Sequence, residues 1–319
     1  MLVVVAAFPQ RTLARSRRNA LLLRVGTMIR IVRHIRKAIW LAIEHDLLNT
    51  AKAAAYSGML ALFPALVVLT ALLLQVPQGT SLVGEFRSSF EQFLPVDSVS
   101  LMQSAIQARR LHSIPLIFSA GSLSVFASLG VMLSLMEGFR RAYQLPLDNW
   151  GFWQRQLRAL LLVPIVLVPL SLATLVLIFG RQIEAWMIDN ADHELQLFVL
   201  FFWRMVRWTV ALVTGVSVLG ALYHFGTRRK EHWARVGPGA LAATLVWFPS
   251  TLAFGWYVTR IADYTMFYGS FGAGIATLVW LYMTSFSALL GAELNGVLFR
   301  ERQERGSAFA SPDPTSFSQ

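Results

Sequence analysis

Glu293 and Lys52 are ionisable residues set where an apolar chain has least reason to carry them, one just after the longest uncharged run and one just before the first. An ionised group taken into hydrocarbon is costly unless it is paired. A Lys52–Glu293 pair would neutralise both and join the first run to the last. Two other readings stand beside it: each group reaches headgroup water separately, or Glu293 meets a substrate or a proton. Glu137 precedes Arg140 and Arg141 by three and four residues, the spacing that puts side chains on one helix face. This suits a helix-end ion pair, or arginines that hold an anionic lipid headgroup. Pro64, Pro164, Pro169 and Pro249 lie inside apolar runs, where each removes a backbone donor and is expected to kink a helix. The freed carbonyls then need hydroxyls or water, and Tyr56, Ser57, Thr70, Ser250 and Thr251 lie nearby. An internal polar cavity lined by Tyr56, Ser57 and Glu293 follows as an expectation. Gly269, Gly272 and Gly274 open the last run, and Gly291, Asn295 and Gly296 lie near its end. Small residues at such spacing either let helices approach closely or mark an interrupted helix lining a cavity.

Other chemistries are excluded by what is missing. There is no cysteine, so no disulfide, thiolate nucleophile or thiolate metal site. The six histidines (His34, His45, His112, His193, His224, His232) are scattered, with no paired spacing beside carboxylates. A metal-dependent nuclease needs such a cluster to hold cations and activate water. No Gly-rich phosphate loop of the ATPase kind occurs. The chain is expected to bind no cofactor, metal or nucleic acid and to be no enzyme.

These residues must be positioned by helices in a membrane. Of 319 residues, 55% are hydrophobic and 14% charged, against about 25% charged in an ordinary globular domain. A helix needs about 20 apolar residues to cross the hydrocarbon core. The runs Ala53–Leu74, Ile114–Met136, Ala159–Gly180, Val236–Val258 and Tyr264–Ala292 qualify outright. Trp208–Thr227 is a sixth, preceded by Arg204 and Arg207, which can snorkel to the headgroups. Six spans divide the 28 Lys and Arg into 21 on the side of the termini and seven on the other. The positive-inside rule then sets both termini in the cytoplasm. The predicted fold is all-α: a six-transmembrane-helix bundle with amphipathic N-terminal and periplasmic-side helices. Residues 28–300 form the membrane domain. A basic arm, 1–27, precedes it, and a tail rich in Ser, Pro and Phe, 301–319, is expected to be disordered.

Two segments outside the spans have helical periodicity. From Met28 to Asn49, Ile31, Val32, Ile35, Ile39, Ala42 and Ile43 alternate with Arg30, Arg33, Arg36 and Lys37, as in an interfacial helix on anionic lipid or a helix that docks a partner. Between Val76 and Ser113, Leu82, Val83, Phe86, Phe90, Phe93 and Leu94 share one face before Pro95. Two short helices on the outer surface are expected there, as a cap or a lid.

Local motifs add a likeness. Ala53-Ala54-Ala55-Tyr56 with Leu62-Phe63-Pro64 resembles the first-span signature of the YihY/BrkB family, whose members were long labelled ribonuclease BN. Leu94-Pro95, Glu137-Gly138-Phe139-Arg140-Arg141-Ala142-Tyr143, Gly151-Phe152-Trp153, Leu222-Tyr223 and Pro238-Gly239-Ala240 match further positions. The most specific match is Tyr268-Gly269-Ser270-Phe271-Gly272-Ala273, followed by Trp280-Leu281-Tyr282 and Leu290-Gly291-Ala292-Glu293-Leu294-Asn295. Lys52 and Gly58 depart from the usual pattern of the first motif. The resemblance runs from Ile29 to Phe299 and implies a six-span bacterial inner-membrane protein. It implies no settled activity; the family expectation is transport or handling of lipid-like or small solutes in envelope maintenance. The alternative is a scaffold that recruits envelope partners. Anionic headgroups of the inner leaflet, a second copy of the chain and envelope proteins are the expected partners.

Overall fold

The computed structural model describes residues 32–73, 114–146, 151–190, 193–227, 232–260 and 271–310. The basic arm, the outer segment 76–113 and Gly269 therefore lie outside the described residues. A helix at residues 32–44, α1, leads into six long ones. These are α2 (Leu47–Leu73), α3 (Ile114–Ala142), α4 (Phe152–Asn190), α5 (His193–Gly226), α6 (Trp233–Arg260) and α7 (Phe271–Ala310). Each of α2 to α7 contains a stretch long and apolar enough to cross a membrane. Pro64, Pro164, Pro169 and Pro249 all sit inside continuous helices.

Each long helix packs on the next in chain order, and α7 returns to pack on α2, so the six close into a ring. α7 also touches α3 and packs extensively on α6. It is the central helix: 44% of its apolar stretch is buried, against 11–17% in the other five. This follows from its side chains, since Gly, Ala and Ser recur along it and let three neighbours approach at once.

Burial is concentrated at one end. The core cluster takes in the start of α2 (Leu47, Ala51, Ala54) and the end of α3 (Met132, Met136, Phe139). It continues through the start of α4 (Ala159, Leu162), the end of α5 (Leu222, Tyr223), the start of α6 (Val236, Ala240) and α7 at Leu289 and Ala292. Tyr223 lies edge-on to Phe139, with ring centroids 5.2 Å apart, and donates to the Ala288 carbonyl at 2.6 Å. In the opposite half, the described residues that are fully buried are small: Thr70, Ala71, Gly272, Ala276 and Thr277. Leu69, Phe118, Leu172, Phe202 and Leu252 there are exposed on the protein surface.

α1 lies against the packed end. His34, Ala38 and Ala42 are buried, whereas Val32, Ile35, Ile39, Trp40 and Ile43 are exposed. The helix thus docks by a narrow row of small and polar residues at i, i+4, i+8 and turns its apolar stripe outward. The tail differs from its expectation. α7 continues to Ala310, because Glu301-Arg302-Gln303-Glu304-Arg305 are good helix formers and His34 holds Glu301 at 2.7 Å.

Candidate functional site

Two chain reversals meet at the packed end. Between α1 and α2, Asp46 has φ of 58°, a left-handed conformation that Asp tolerates better than most residues. Its carbonyl accepts the Thr50 N–H at 3.2 Å and the Thr50 hydroxyl at 3.0 Å. Asn49 donates to its Oδ1 at 2.6 Å. At the end of α3, Gln144 has φ of 52°. The Leu145 N–H reaches back to the Arg140 carbonyl and the Gln144 N–H to the Arg141 carbonyl, both at 2.9 Å. This is the paired closure of a helix C-terminus, with Gln where Gly is usual. The reversals bind each other: Gln144 Nε2 lies 3.1 Å from His45 Nε2 and Arg141 lies 3.3 Å from Asp46.

Glu293 stands behind this joint, wholly buried. His45 Nδ1 is 2.9 Å from its Oε2, and Arg300 donates to its Oε1 at 3.1 Å. With the Gln144 amide donating to Nε2, the His45 ring carries its proton on Nδ1 and donates to the carboxylate. Arg300 also donates to the Ala142 carbonyl at 3.1 Å, one of the last carbonyls of α3, which no helical partner satisfies. A Cβ at Gly296 would meet that same carbonyl, so glycine is required for α7 to reach α3. Toward the surface, Glu137 takes Arg140 at 2.6 Å, Arg141 at 3.1 Å and Arg155 at 3.7 Å. One network therefore ties α2, α3, α4 and α7 at a single level.

The expected Lys52–Glu293 pair does not form. Lys52 is exposed and donates to Asn49 at 3.1 Å, because Leu47, Ala51 and Ala54 occupy the buried face of α2 and turn residue 52 outward. His45 and Arg300 take its place. His45 escapes notice when Met28–Asn49 is read as one helix; the signal is Asp46, a helix-capping residue type ahead of an apolar run. The three residues expected to line a cavity do not converge on one another. Tyr56 is 63% exposed, Ser57 packs so closely on Gly130 that a Cβ there would lie 2.8 Å from its hydroxyl, and both Glu293 oxygens are engaged.

The remaining candidates serve packing. Ser124 of α3, which sequence reading missed, donates to the Ala61 carbonyl of α2 at 3.2 Å. Gly272 is buried, and a Cβ at Gly274 would lie 3.2 Å from Met59. Asn295 accepts the Gly239 N–H at 2.8 Å and donates to the Val236 carbonyl at 2.9 Å, so its amide joins α7 to the first turns of α6. There Gly239 and Gly291 face each other's carbonyls, and a Cβ on either would collide with the opposite backbone.

Fold and network together define a polytopic α-helical membrane protein in which four of the six apolar helices are tied at one end by a charge network. The chain belongs to the family described as virulence factor BrkB, whose model matches residues 41–315. It is similar to the ribonuclease-like protein YfkH of Bacillus subtilis, 26% identical over 81% of this chain and 92% of that protein. It is also similar to UPF0761 membrane proteins of Chromohalobacter salexigens (29% identical, 86% of this chain, 65% of that protein) and Vibrio parahaemolyticus (27%, 80% and 79%). No solved structure matches.

Proposed function

We propose that the protein resides in a bacterial cytoplasmic membrane with both ends inside, and that it handles lipid-like or small amphiphilic solutes in envelope maintenance. The threefold excess of Lys and Arg on the side of the termini supports the orientation. The observation that carries the activity is the uneven burial: large side chains interlock at one end, and among the described residues those fully buried at the other are small. Helices fixed at one end and loosely joined at the other can part to admit an amphiphile without unfolding. The reading includes no hydrolytic step: among the described residues no three His, Asp or Glu gather, and the carboxylate at the centre, Glu293, is saturated by its partners. The test is purified protein in vesicles with a fluorescent short-chain phospholipid. Faster translocation than in protein-free vesicles is expected; an equal rate contradicts the reading.

The second reading, a scaffold that recruits envelope partners or a second copy, draws support from the closely packed half, where Ser57 lies against Gly130 and Glu293 is wholly buried with both oxygens engaged. Orientation is tested separately. A reporter after Arg305 should respond as cytoplasmic and one near Gln92 as external; the reverse pattern would overturn it.

A further inference from the structure

The side chains of α1 are sorted into three sectors. His34, Ala38 and Ala42 are buried on the bundle. On one flank of that row, Val32, Ile35, Ile39, Trp40 and Ile43 are exposed, a continuous apolar stripe that water disfavours. The other flank borders a polar crevice of about 270 Å³ between α1 and the end of α7, lined by Arg33, His34, Lys37, Glu301, Glu304 and Arg305. A helix apolar on one flank and charged on the other suits a boundary between lipid and water.

Two further observations bear on what covers the stripe. Exposed aromatic rings recur at the same end of the bundle: Phe152 and Trp153 in the first turn of α4, Phe225 in the last turn of α5 and Trp233 in the first turn of α6. Tryptophan collects at the level of lipid headgroups, which sets this end of the bundle, and α1 with it, at the membrane surface. Arg36 also stands inside the stripe, four residues from both Val32 and Trp40, and is exposed. Pressed against an apolar protein face, its guanidinium would be buried without a partner. Against a leaflet, its stem lies among acyl carbons while its head reaches the phosphates. α1 has three basic residues, Arg33, Arg36 and Lys37, and one acid, Glu44, so the complementary surface is anionic.

We propose that the apolar stripe of α1 is covered by an anionic phospholipid leaflet around the packed end of the bundle. Ile35, Ile39 and Ile43 lie among the upper acyl carbons, and Arg36 lies on the phosphates. α1 runs directly into the reversal at Asp46, where His45 meets Glu293 at 2.9 Å, so lipid that holds α1 down also holds His45 on the buried carboxylate. The proposal requires only that the six helices span a membrane, and it holds whether or not the protein moves lipid.

The test uses the full, cysteine-free chain in nanodiscs holding one copy each, made of phosphatidylcholine alone or with phosphatidylglycerol in equal parts. Cysteine is placed at exposed Ile39 on the stripe or at exposed Glu44 on the charged flank. Its reaction rate with an uncharged polyethylene-glycol maleimide is divided by the rate in denatured protein. In the mixed lipid, Ile39→Cys should react about tenfold more slowly than Glu44→Cys, as expected for a buried apolar stripe. Adding Arg36→Gln to Ile39→Cys should raise the rate about fivefold there, the worth of one basic residue at an anionic surface. The same change should have no effect in phosphatidylcholine. R33Q/R36Q/K37Q should raise the rate further in the mixed lipid. All these side chains are exposed, so the melting temperature should stay at the parent value. Equal rates at Ile39 and Glu44, or an Arg36→Gln effect of the same size in both lipids, would overturn the proposal. Protection of Ile39→Cys that is absent from single-copy nanodiscs and returns in vesicles crowded with the protein would overturn it too, and assign the stripe to a second copy.

Discussion

The two halves of this bundle are built from similar apolar residues and packed in different ways. At the end where α1 and the last turns of α7 lie, Phe139, Leu162, Tyr223 and Leu289 are almost wholly buried. There two carboxylates, two arginines and a histidine close the joint between helices. At the other end, among the described residues, several leucines and phenylalanines face outward and the fully buried residues are small, although Trp208 and Phe248 still meet between helices at 4.7 Å. Hydropathy does not distinguish the halves, because lipid is as apolar as a protein core. Shape and polar linkage do: large side chains interlock and buried charge demands specific partners, whereas small residues allow approach without locking it.

Matched substitutions should break one half and spare the other. The largest effect is expected at Gly291, where any side chain strikes the Gly239 carbonyl and Ala243. Since backbone cannot yield cheaply, Gly291→Val should cost more than the roughly 1–3 kcal/mol of ordinary overpacking and abolish a monodisperse peak in size exclusion. Gly255→Val, with nothing near its Cβ, should leave the peak intact. Next is Leu289→Ala, a wholly buried leucine, with an expected loss of about 3 kcal/mol in SDS titration. The same change at exposed Leu252 should have little effect.

Glu293→Gln should cost about 2–3 kcal/mol, at the lower end for a broken buried pair because Arg300 retains some exposure. A double-mutant cycle with His45→Ala should show coupling, and Lys52→Met should show none. Additivity of Glu293 and His45 would mean that the network is a coincidence of placement. The smallest effect is Tyr223→Phe, which removes the hydrogen bond to the Ala288 carbonyl and should cost about 1 kcal/mol.

Sequence disclosed the spans well because uncharged length suffices to define them. It placed the fourth late: the apolar stretch of α5 begins at Phe201, ahead of the two arginines taken as its boundary. The candidate site was legible only in part. Glu293 stood out as a carboxylate at the edge of an apolar run, and Glu137 with Arg140 as an i, i+3 pair. Their depth along the bundle was readable, but the direction each side chain faces was not, so Lys52 was matched to Glu293 by level alone. The true partner, His45, depends on a chain reversal at a non-glycine residue with positive φ, which hydrophobic periodicity does not register. Asn295 was named for its place near the end of the last run but its partners were not readable, and Ser124 was missed, for a related reason: each bonds a backbone group on another helix, a relation that exists only once the helices pack.

The central claim, one locked end and one loose end, is open to direct measurement because the chain has no cysteine and spin labels can be placed at will. Label pairs at the exposed positions Lys52 and Ala234 report α2 against α6 at the packed end, and pairs at Leu69 and Ala253 report the same helices at the other. Double electron–electron resonance in lipid nanodiscs should give a narrow distance distribution for Lys52–Ala234. Leu69–Ala253 should be broader and should shift with lipid composition. Equally narrow distributions at both ends, unmoved by lipid, would contradict the account.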